Sequence, residues 1–77
     1  MNKNREQEYK LIGLNIAYYR KLSNLTQLQL AELAGISRTH MSNIEAPNMP
    51  TSISLDTLMD LADVMGIPVS SLLTFKP

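Results

Sequence analysis

The stretch Thr26-Gln27-Leu28-Gln29-Leu30-Ala31-Glu32-Leu33-Ala34-Gly35-Ile36-Ser37-Arg38-Thr39-His40-Met41-Ser42-Asn43-Ile44-Glu45 decides the fold. Thr26 followed three residues later by Gln29 has the form of a capping box, in which the threonine oxygen accepts from a first-turn amide. A helix of about Gln27 to Ala34 follows, with Leu30, Ala31 and Ala34 turned inward, and Gly35 supplies the permissive backbone at its end. Ser37 is a second N-cap. Met41 and Ile44 lie four and seven residues further on, on one side of a third short helix, so Arg38, Thr39, Ser42 and Asn43 point outward.

N-terminal to this stretch, Ile12, Ile16 and Tyr19 recur at three- and four-residue steps between about Tyr9 and Leu22, as the buried face of a first helix requires, and Ser23-Asn24 stops it. Residues 46–54 hold Pro47, Pro50 and several turn formers and read as a loop. Leu55, Leu58, Ala62 and Met65 restart the helical period and Gly66 ends it. Pro68 can open a fifth helix at its first position, with Leu72 and Leu73 burying it. No alternating strand pattern occurs, so the expected class is all-α: one compact five-helix domain over 9–77, preceded by a flexible segment, 1–8.

A chain of 77 residues leaves room for one domain with a modest core, and 44% hydrophobic against 18% charged residues is a globular composition. There is no cysteine, which removes disulfides, thiolate metal sites and Cys nucleophiles together. The polar N-terminus has no apolar signal region and no run approaches a membrane span, so a cytoplasmic location is expected. The inventory for catalysis is poor. His40 is the one histidine, Asp56, Asp60 and Asp63 read as a solvated helix face, and Gly13, Gly35 and Gly66 are too far apart for a phosphate loop. No enzyme activity, cofactor or metal is therefore expected.

Net charge is zero, which argues at first against a nucleic-acid partner. Counting by halves changes this. Residues 1–44 hold six Lys and Arg against three Glu, a balance of +3, and residues 45–77 hold one Lys against four acids, a balance of −3. The half that contains the two short helices is the basic one.

Two short helices joined around Gly35, with a small Ala31 where they approach, form a helix-turn-helix. From Ile12 to Leu73 the chain resembles the Cro/cI-type (XRE-like) helix-turn-helix proteins, the family of phage repressors and restriction-modification controllers. The pieces that carry the likeness are Leu25-Thr26-Gln27, Leu30-Ala31-Glu32, Gly35-Ile36-Ser37, Met41, Ile44-Glu45 and the run from Leu58 to Leu73. The resemblance implies a lambda-repressor-like domain whose third helix enters the major groove of double-stranded DNA. It puts base reading on Arg38, Thr39 and Asn43, with His40 as a neighbour. The chemistry suits them: Arg38 can donate twice to guanine, Asn43 can pair with adenine, and the Thr39 methyl can touch thymine. Gln27 matches a phosphate-contacting glutamine at a helix start, and Asn24, Ser37, Ser42 and Asn48 are further candidates for phosphate contact. Arg20 and Glu45 match a structural ion pair between the first and third helices.

The sequence departs from the family pattern after Glu45. Relatives carry a glycine and basic residues there, whereas this chain has Ala46-Pro47-Asn48-Met49, a loop about three residues longer, and no Lys or Arg between Arg38 and Lys76. Asn48, Thr51 and Ser52 would replace the charged contacts. Lys3, Arg5 and Lys10 precede or open the first helix and read as a frayed, solvated segment, the alternative being an arm over the DNA backbone. The expected function is a transcriptional regulator, a repressor acting as a homodimer on a pseudo-palindromic operator, with Leu72, Leu73 and Phe75 at the dimer interface. The alternative is a protein-interaction module on the same fold, an antitoxin or anti-regulator, with a protein partner. Leu28 and Leu33 occupy positions that are commonly polar in the family. They are covered by the loop or the N-terminal segment, or they mark a partner surface, and the sequence does not choose.

Overall fold

The structure, a computed structural model, describes residues 5–75. The chain order is α1 (Glu6–Leu22), α2 (Gln27–Ala34), α3 (Arg38–Glu45), α4 (Leu55–Met65) and α5 (Val69–Leu72), with no strand among the described residues. Side-chain caps and left-handed glycines set the boundaries of the central helices. Thr26, Ser37 and Ser54 each accept a first-turn amide, while Gly35 (φ 74°) and Gly66 (φ 68°) end α2 and α4 in the left-handed region.

The outer helices differ from the sequence expectation. α1 begins at Glu6 and not near Tyr9, because Glu6 and Glu8 stand in the first turn, where the helix dipole favours acids, and Arg5 pairs with Glu8 at 2.7 Å. The Glu8 hydrogen bond and charge raise the Arg5 guanidinium above its ordinary value, but the pair is exposed and contributes little. Lys3 and the rest of residues 1–4 lie outside the described residues. Pro68 is the N-cap of α5 and not its first helical residue, and α5 is a single turn.

Ile16, Leu30, Met41, Leu61 and Leu72 are fully buried, one from each helix, so a single core joins all five. Leu61, which the sequence pattern did not include, is part of that core, whereas Leu55, which it did include, stands exposed at the first position of α4. Leu73, expected to be buried with Leu72, is exposed where α5 stops. The segment after α5 is tied to α1 by Asn15, whose Nδ2 donates to the carbonyls of Leu72 (3.0 Å) and Thr74 (3.2 Å). Gly13 is buried where α1 crosses the end of α3, and a Cβ there would overlap the Ile44 carbonyl. No helix among the described residues is long and apolar enough to cross a membrane.

Candidate nucleic-acid interface

The candidate interface is the corner formed by α2 and α3, and its geometry follows from local hydrogen bonding. Both halves of the capping box are made: Thr26 Oγ1 accepts from the Gln29 amide at 3.0 Å, and Gln29 Oε1 accepts from the Thr26 amide at 2.8 Å. After Gly35 the Ile36 amide returns to the Ala31 carbonyl at 3.0 Å, which turns the chain sharply. Ser37 Oγ then accepts from the His40 amide at 3.0 Å and starts α3 at Arg38. The first turns of both helices keep backbone amides with no intrahelical acceptor, and the dipoles add partial positive charge there.

Met41 and Ile44 anchor α3 in the core. Arg38, Thr39 and Ser42 are therefore exposed on its opposite side, and His40 and Asn43 are half-buried beside them. One helix face thus carries a bidentate cation, a hydroxyl with a methyl, and an amide. Arg38 is the one Lys or Arg in α2, α3 and the loop of residues 46–54.

The corner is locked to α1 by a nearly buried ion pair. Arg20 Nε donates to Glu45 Oε2 at 2.7 Å and Nη2 to Oε1 at 2.9 Å, with the two side chains 11% and 5% exposed. Arg20 Nη1 donates to the Leu25 carbonyl at 2.8 Å, so the guanidinium is engaged on three sides within the protein. Sequence reasoning missed a further member. Gln27, at the first position of α2, donates from Nε2 to Glu45 Oε1 at 2.9 Å. Gln27 and Glu45 are 18 residues apart and no local pattern links them. Gly13 was also missed: an isolated glycine inside a helical period is merely tolerated, and the close approach of the Ile44 carbonyl that requires it is created only by the fold.

Other candidates have local roles. Asn24 adopts a left-handed conformation (φ 59°) in the turn between α1 and α2, a geometry that asparagine tolerates. Ser37 uses its oxygen as a cap, leaving its proton to donate. Asn48 is exposed in the loop. Thr51 is a correction: its single hydroxyl proton is shared between the carbonyls of Asn43 (3.2 Å) and Met49 (2.9 Å), so it fastens the loop to the end of α3 and has no proton for a phosphate.

The expected dimer surface needs a correction too. Leu72 is 0% exposed and closes the monomer's own core, so it has no area to offer a partner, whereas Leu73 (45%) and Phe75 (37%) are exposed. They lie next to a cleft lined by Asn15, Tyr18, Tyr19, Ser71 and Thr74. Leu28 and Leu33 are exposed; the loop leaves them uncovered.

Comparison with known proteins finds the same architecture. A helix-turn-helix family model matches residues 16–72. The chain is 35% identical over 65 residues to the control protein C.SmaI of Serratia marcescens, covering 84% of this chain and 75% of that protein. It is 41% identical over 61 residues to the immunity repressor protein of Bacillus phage phi105, covering 79% of this chain but 41% of the repressor. Among solved structures it superposes on SinR, the master regulator for biofilm formation, in complex with DNA, with a TM-score of 0.76 and 35% identity, over 82% of this chain and 98% of that one.

Proposed function

The chain belongs to the helix-turn-helix family, and from that membership we propose that it is a sequence-specific, double-stranded DNA-binding transcriptional regulator, a repressor acting as a homodimer. The observation that carries this reading is the exposed face of α3, where Arg38, Thr39 and Ser42 are held outward by the buried Met41 and Ile44, with the half-buried Asn43 beside them. The relatives support the same reading: a control protein, an immunity repressor and a regulator crystallised on DNA.

In this mechanism α3 enters the major groove. Arg38 donates twice to guanine O6 and N7, Asn43 pairs with adenine N6 and N7, Thr39 touches a thymine methyl, and His40 stands beside them. The free amides at the start of α2, the Gln27 side chain, Asn24, Ser37, Ser42 and Asn48 hold the phosphates that fix its register. Arg20 is not counted as a phosphate contact, because its charge is paired with Glu45, each of its three nitrogens already donates to Glu45 or Leu25, and the side chain is 11% exposed. One such helix reads only a few base pairs. A two-fold dimer, joined through Leu73 and Phe75, reads two half-sites about 34 Å apart and supplies the specificity.

Selection of bound sequences from a random duplex pool tests this reading, run beside sedimentation of the protein alone and on the selected duplex. A two-fold symmetric motif and two protomers per duplex are expected. Recovery of nothing above background contradicts DNA recognition and favours the protein-interaction module. Single protomers persisting on the duplex contradict the dimer.

A further inference from the structure

The Glu45 carboxylate collects two donors from Arg20 and one from Gln27. A carboxylate only accepts, so the end of the Gln27 amide that faces it must be the nitrogen. That nitrogen carries two hydrogens, and one is spent on Glu45 Oε1. Gln27 is half-buried at the first position of α2, beside amides that have no intrahelical acceptor. A free glutamine side chain samples several rotamers and either orientation of its amide, and it presents an acceptor to solvent as often as a donor. An acceptor turned toward a phosphate repels it.

We propose that Glu45, itself held by Arg20, is a positioning residue for DNA binding: it fixes the Gln27 amide with its second N–H turned out to a backbone phosphate. This rests on the reading of the α2–α3 corner as a DNA-binding surface and adds a role to a pair otherwise assigned to stability alone. The chain of contacts runs from α1 through Arg20, Glu45 and Gln27 to the phosphate, so the ion pair that ties α1 to α3 also orders the donor on α2. The Arg20 charge balances that of Glu45, which keeps a carboxylate near the DNA from repelling it.

The test uses two backgrounds, the native chain and an Arg20→Leu/Glu45→Leu variant, in which both charges leave together so that neither is stranded in the fold. Thermal melting checks that both are folded. On a duplex from the random pool, Gln27→Ala is expected to weaken binding about five-fold in the native background and less than two-fold in the paired-leucine background. An equal loss in both backgrounds overturns the proposal, because Gln27 then acts without Glu45.

A second measurement needs no DNA and tests the Glu45–Gln27 link should the paired-leucine variant fail to fold. In nitrogen-edited NMR spectra of the free native protein, the two side-chain amide protons of Gln27 are expected to be well separated, one of them slow to exchange with water. Protons with the shifts and exchange of an unconstrained glutamine overturn the proposal. Failure of the native chain to bind any duplex contradicts the DNA-binding reading instead, and the two failures are thereby distinguished.

Discussion

At the scale of single residues, burial separates those proposed to read DNA from those that hold the α2–α3 corner in place. Arg20 and Glu45 are nearly enclosed, so removing either one strands the other's charge. Arg20→Ala or Glu45→Ala should each lower stability by about 3 kcal/mol, read by urea denaturation, whereas replacing both with leucine should recover most of the loss. Gly13 is as exacting for a different reason. A methyl at that position meets the Ile44 carbonyl, so Gly13→Ala should cost about 1–3 kcal/mol and, by pushing the end of α3 from α1, weaken DNA binding as well. Part of this was legible in the chain itself. The outward set on α3 follows from the positions of Met41 and Ile44, and the Arg20–Glu45 pair from the family resemblance. The Gln27–Glu45 bond and the use of Thr51 to fasten the loop were not legible, because each joins residues whose proximity is created only by the fold.

At the scale of elements, helices with strong local punctuation are the ones whose limits can be read directly. Thr26 and Gly35 bracket α2, Ser37 opens α3, and Ser54 and Gly66 bracket α4, each through a hydrogen bond or backbone angle that depends on near neighbours. α1 starts earlier than its apolar period because acidic residues, which add nothing to an apolar pattern, extend it. The inward register of α4 is legible for Leu58, Ala62 and Met65 but misplaces Leu55, since periodicity gives a direction and not whether a neighbour lies there. The turn between α2 and α3 sets the angle at which the outward face of α3 is presented. Gly35→Ala places a side chain at φ 74° and should destabilise by about 1 kcal/mol. Ser37→Ala removes the cap of α3 at a similar cost of about 1 kcal/mol. Both losses are measurable as lowered denaturation midpoints, and a Ser37→Asp variant, which caps equally well, should show none.

At the scale of the molecule, the zero net charge conceals a basic half and an acidic half, and the basic half spends Arg20 internally. Few free cations remain near the α2–α3 corner, so the counterion release on binding DNA should be small. Anisotropy titrations across a salt series should give a slope well short of the value for ten neutralised phosphates, and a slope that steep contradicts the contact set proposed here. Affinity for arbitrary duplexes should accordingly be weak, and discrimination must come from the base edges. Arg38 is therefore the decisive residue: α3 holds it outward, and no other Lys or Arg lies in α2, α3 or the following loop. The most direct test is to select duplexes from a random pool with the native chain and with Arg38→Ala side by side. The variant's motif should lose its preference at one base pair in each half-site, a discrimination of about 1–3 kcal/mol, and keep the rest. An unchanged motif would contradict the assignment of α3 as the element that reads sequence.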